Sequence, residues 1–119
     1  MEEMKLPHDH HHGLEQQFDH MPDPEAFDVT AELFKLMADR TRIRLFWILC
    51  HCEECVVNLS VMMNMSSPAL SHHLKLLKAF GLIVSRREGK EVYYRAAENQ
   101  RAAALHRMIE HVAEIACPE

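Results

Sequence analysis

With 119 residues, 48% of them apolar, the chain has material for one domain and a tail, and its composition suits a packed globule rather than a disordered segment. No apolar run approaches the ~20 residues that cross a bilayer, and the acidic, histidine-rich start lacks a secretory signal, so the expectation is a cytoplasmic protein without a membrane partner. The net charge of −5 is uneven: −8 over residues 1–34, +5 over 35–95 and −2 over 96–119.

Residues 1–22 read as a flexible, acidic, His-rich tail, and residues 23–119 as one folded domain. The first expected helix opens at Asp23, with Pro24 in its first turn and Val29, Leu33 and Leu36 on a shared face. A second helix spans about Arg40–Cys50, where Ile43, Phe46, Trp47 and Cys50 recur at helical spacing. A short third covers Val56–Met63, with Asn64 as a left-handed stop. The fourth, Ser67–Phe80, is expected to open on a Ser67 cap followed by Pro68 and to end at Gly81. Strands Ile83–Arg87 and Glu91–Arg95 flank a turn at Glu88-Gly89-Lys90, and a last helix runs from about Glu98 to Ala116. The expected fold class is mainly α with a β-hairpin wing.

Two short helices joined by Asn64-Met65-Ser66 form a helix-turn-helix whose second member belongs in the major groove of double-stranded DNA. Leu70, His73, Leu74, Leu77 and Phe80 make its core stripe, which marks His73 as a packed histidine rather than a DNA contact. Ser67, Ser71 and Lys75 lie opposite with Lys78, and His72 borders them. Such groups reach base edges and phosphates without steric conflict, although an ordinary solvated helix face has the same composition. The wing carries Arg86, Arg87 and Lys90 to the backbone or minor groove. The basic middle of the chain supplies the charge that phosphate binding needs, and Arg40, Arg42 and Arg44 can add to it.

The runs Leu36–Leu45, Ser66–Leu74 with Ser71-His72-His73-Leu74, and Arg86–Tyr94 closely resemble, in that order, the ArsR/SmtB family of bacterial transcriptional repressors. The resemblance covers about residues 25–115. It implies a winged helix-turn-helix homodimer that occupies an operator until an inducer, commonly a metal ion, weakens DNA binding. Periodicity adds a seam on the last helix at Ala102, Leu105, Ile109, Val112 and Ala116, suited to pairing with a second copy. Packing within one subunit produces the same pattern.

Two inducer sites are candidates. The first is the thiol cluster: Cys52 and Cys55 form a C-x-x-C knuckle, with Cys50 and His51 beside it and the tail residues His8, His10, His11 and His12 in reach. Cys50 also fits as a small core hydrophobe. The resemblance puts Cys55 on the first cysteine of a family Cys-x-Cys site and Val57 on the second, so such a site is rearranged here. The second candidate is the terminal-helix site that the resemblance implies, at Glu98, His111 and Glu114, with Gln100 at a position where a ligand is expected. The expected ions are zinc, cadmium or lead. A thiol redox switch on the same DNA-binding dimer and a metal-storage module built on the tail are the alternatives. No H-E-x-x-H or H-x-E…C-x-x-C zinc-enzyme pattern is present.

Overall fold

A computed structural model describes residues 5–8 and 19–114. The chain forms two compact units, Met1–Glu32 and Leu33–Glu119. Helix α1 (Pro24–Met37) runs across that division and opens one residue after the expected start at Asp23. Proline suits the start because the first helical N–H groups have no intrahelical partner to lose.

The second unit continues with α2 (Arg40–His51), β1 (Glu54–Cys55), α3 (Val56–Met63), α4 (Ser67–Ala79), β2 (Ile83–Glu88), β3 (Glu91–Ala96) and α5 (Gln100–Ala113). Asp39 caps α2, its carboxylate accepting from the Arg42 backbone N–H at 2.9 Å. Asn64 closes α3 in the left-handed conformation, as expected from its tolerance of positive φ. The cap of α4 is Ser66, not Ser67: its hydroxyl accepts from Ala69, and Ser67 and Pro68 already lie in the first turn. At the other end Gly81 takes φ +73°, with Leu82 N–H bonding to Leu77 C=O and Gly81 N–H to Lys78 C=O. That pair of bonds is a Schellman closure, and it sends the chain straight into β2.

The hairpin is tighter than the sequence suggested. Glu88 pairs with Glu91, leaving Gly89-Lys90 as a two-residue loop with Gly89 at φ +63°. Positive φ at the first loop position alone is the II′ pattern. The short strand β1 was not anticipated. It pairs antiparallel with β3, Glu54 opposite Tyr94 and Cys55 opposite Tyr93, giving the sheet order β1-β3-β2. Two residues are too short to leave a periodic signal.

The core is a leucine-rich cluster: Leu45, Phe46 and Leu49 from α2, Leu59 from α3, Leu70, Leu74 and Leu77 from α4, Leu82 and Ile83 entering β2, and Ala102 and Leu105 from α5. Each fully buried side chain of this size contributes about 1.5–3 kcal/mol before entropy is counted. Because Ala102 and Leu105 lie in this core, two of the five expected seam residues are covered from within the same chain. Spacing marks an apolar stripe but does not say which surface covers it. Ile109 packs at the core margin, Val112 is 81% exposed, and Ala116 lies outside the described residues. Among the described residues no helix is long and apolar enough to cross a membrane.

Candidate nucleic-acid interface and metal centre

The outer face of α4 is positioned by its inner face. Leu70, Leu74 and Leu77 have no exposed surface, which fixes the rotation of the helix about its axis. Ser71, His72 and Lys75 are therefore exposed together, with Ser67 half-buried at the head of the same stripe. Lys78 is drawn aside: its Nζ donates to Ser85 Oγ at 2.7 Å, tying α4 to β2.

His73 turns inward. Arg42 Nη1 donates to its Nδ1 at 3.3 Å, which places the ring proton on Nε2 when the ring is neutral. Burial pushes the His73 pKa below the ordinary histidine value, with the Arg42 charge acting in the same direction and Asp39 opposing it. Arg42 also donates from Nε to Leu36 C=O at 2.6 Å and pairs with Asp39. It is thus an internal brace between α1, α2 and α4, whereas Arg40 and Arg44 are exposed.

On the wing, Arg87 and Lys90 are exposed, but Arg86 is engaged elsewhere. Its guanidinium bonds Glu53 at 2.6 and 2.8 Å and Glu88 at 2.7 Å, and it lies over the Tyr93 ring at 4.7 Å. The Glu53 carboxyl is held below its usual range, chiefly by the hydrogen bond from Arg86. Arg95 joins from 3.8 Å and also approaches Glu98. The expected DNA role of Arg86 thus falls on a residue that fastens the wing to the loop before β1.

One of the thiols, Cys55, lies in the strand the sequence did not announce. Cys55 is buried with its backbone in β1, and the Cys52 thiol donates back to Ile48 C=O at 3.4 Å. Burial, then the Glu54 charge, pushes the Cys52 thiol up, which lowers its thiolate fraction and disfavours a redox switch there. Among the described residues Cys50, Cys52 and Cys55 do not close into a group of three metal donors. His10 and His12 lie outside the described residues. Glu98 precedes α5, which is capped by Asn99, and neither it nor His111 or Glu114 enters such a group.

A different cluster does close. His51, at the end of α2, meets His106 and Glu110 on α5. The two imidazole Nε2 atoms lie 3.1 Å apart, and Glu110 Oε2 is 3.3 Å from that of His106 and 3.6 Å from that of His51. Sequence reading passed over His106 and Glu110. Their spacing of four residues puts both on one helix face, which was a readable signal. Nothing local announces that His51 joins them.

Helix-turn-helix, exposed polar recognition face and basic wing define a winged-helix DNA-binding regulator. Residues 39–85 match the family described as "Bacterial regulatory protein, arsR family". The chain is 37% identical over 84 residues to a transcriptional repressor SmtB homolog of Synechocystis sp., covering 71% of this chain and 64% of that protein. It is 33% identical over 87 residues to a cadmium resistance transcriptional regulatory protein CadC homolog of Staphylococcus aureus, covering 72% of each. Among solved structures, a homodimeric winged helix-turn-helix DNA-binding domain from Mycobacterium bovis, a possible ArsR-family regulator, superposes with a TM-score of 0.67 at 30% identity, covering 79% of this chain and 88% of that one. The chain belongs to the ArsR family of bacterial transcriptional regulators.

Proposed function

We propose that this chain is a homodimeric, metal-responsive repressor that binds a pseudo-palindromic operator and is released from it by a divalent ion of the zinc, cadmium and lead class. The observation that carries the reading is the outer face of α4: Ser67, Ser71, His72 and Lys75 presented over a leucine stripe with no exposed surface. A helix held that firmly costs little to order on DNA. Ser71 and His72 read base edges, while Lys75, Arg87 and Lys90 bind phosphates. Arg86 serves the interface indirectly by holding the wing against Glu53.

The homodimeric state of the mycobacterial neighbour supports the dimer. So do the large apolar side chains exposed on the terminal helices, Phe34, Met108 and Val112. The pairing surface is therefore the outer side of α5 rather than the Ala102–Leu105 stripe. The cadmium-resistance relative supports a metal inducer.

Selection of bound duplexes from a random library by the native protein tests the reading. Recovered sites are expected to show inverted half-sites about one helical turn apart. Added zinc, cadmium or lead should weaken binding to the selected site by about 5- to 150-fold, a coupling of roughly 1–3 kcal/mol. Equal affinity for selected and random duplexes overturns the DNA reading. Affinity untouched by metals and chelators overturns the inducer.

A further inference from the structure

We infer that His51, His106 and Glu110 form a binding site for one borderline divalent ion, of the zinc, cobalt and nickel type, that clamps α2 to α5 within a single subunit. The inference deepens the proposed function by naming a sensing site, but ion binding itself stands on geometry alone.

Zinc bonded at about 2.0–2.1 Å to three corners of a tetrahedron holds those corners roughly 3.3 Å apart. The three donor atoms here are separated by 3.1, 3.3 and 3.6 Å. One ion displaced slightly from their plane lies within bonding distance of all three. The side chains are only 18%, 22% and 16% exposed in the order His51, His106, Glu110, so the donors are held while retaining a route to solvent. One of the three, His106, lines an open cleft together with Cys52, Glu53 and Arg95.

The donor chemistry selects the ion. Two imidazoles and a carboxylate suit zinc, cobalt and nickel, and offer no thiolate to favour softer ions. Among the described residues the site has three donors, one short of a closed tetrahedral shell. An outer layer is present as well. Trp47 Nε1 donates to Glu110 Oε2 at 3.3 Å, and its ring lies with its centroid 4.4 Å from that of His51, tilted by 50°. A carboxylate oxygen can accept this bond and bind a metal at once, so the indole orients the ligand.

The position suits a sensor. His51 ends α2, and the first turn of the same helix carries Arg42, which holds His73 on the recognition helix. Tightening α2 against α5 therefore bears on the element that sets the angle of α4.

The test uses the full chain. Cobalt is titrated into metal-free protein while visible d–d absorption and the fluorescence of Trp47, the chain's one tryptophan, are followed. The expected result is tetrahedral-type absorption without a thiolate charge-transfer band, a change in Trp47 emission, and displacement by zinc. His106→Gln and Glu110→Gln should each weaken this binding by at least about tenfold. A Cys52→Ser/Cys55→Ser protein should bind as the wild type does. Glu110→Gln keeps an acceptor for the indole, and its urea midpoint shows that the fold is retained. A charge-transfer band that disappears with the cysteines overturns the site, as does cobalt binding that leaves Trp47 emission and His106→Gln affinity unchanged. Operator affinity measured in parallel separates the two readings. Cobalt bound at the triad without operator release removes only the regulatory role. Metal-driven release that survives His106→Gln keeps the repressor and removes the triad as its sensing site.

Discussion

The outer face of α4 and the junction of α2 with α5 are assembled in opposite ways. The α4 face collects residues 67, 71, 72 and 75, all within three turns of one helix, so helical spacing alone brings them together. The junction collects residues 51, 106 and 110, from two helices separated by the whole helix-turn-helix and wing. The first surface exists once a single helix forms and buries its leucines. The second exists only when the tertiary fold is complete. A DNA face can therefore tolerate local variation, whereas a metal centre built across helices reports on how those helices are packed.

Leu74→Ala is the harshest test of this contrast. The side chain is fully buried beneath the α4 face, so the substitution should cost about 2–5 kcal/mol in urea unfolding. It should weaken operator and cobalt binding together, because both regions rest on one core. An unchanged midpoint would show that α4 is seated otherwise than described.

Substitutions on the surfaces should separate the two. Ser71→Ala or His72→Ala is expected to lose about 1–3 kcal/mol of preference for the selected operator while cobalt binding stays as in the wild type. Lys90→Ala should instead weaken binding to every duplex and lower the salt slope by about 1. Equal losses on specific and random DNA for Ser71→Ala would remove that residue from base reading.

Asp39→Ala removes the α2 cap and should cost about 0.5–2 kcal/mol by urea midpoint. Hydrogen bonding to the Arg42 backbone lowers the Asp39 pKa, so its contribution is present above the ordinary carboxylate range and is lost as pH falls through it. In the Ala variant, stability should consequently fall less steeply at acid pH. A slope identical to that of the wild type would exclude Asp39 as a source.

The smallest expected effect belongs to His73. Its lowered pKa means that, just below the ordinary histidine value of about 6.5, the unfolded chain binds a proton that the folded chain resists. Stability should decline as pH drops through that window, and His73→Gln should flatten the decline. A steeper decline in the variant would reverse the assignment of His73 as a neutral acceptor from Arg42.

Much of the architecture was legible because it is local. Pro24, Asn64, Gly81 and Gly89 mark starts, stops and a turn through their backbone preferences, and the leucine stripe of α4 follows from a 3.6-residue period. His73 could be read as a packed residue for the same reason. Charge at a surface was less legible. Arg86 and Arg87 are neighbours of like charge, yet only one is bound to Glu53, 33 residues away. Sequence spacing carries no information about such a partner.

By itself, then, the sequence determined the helices, the wing and the exposed face of α4, since hydrogen-bonding period and residue conformational preference act within a few residues. Tertiary structure alone decided three things. It covered Ala102 and Leu105 from within the chain, placed Cys55 in a strand beside Tyr93, and brought His51 to His106 and Glu110. Each depends on which distant surfaces bury one another, and apolar burial has no direction along the chain.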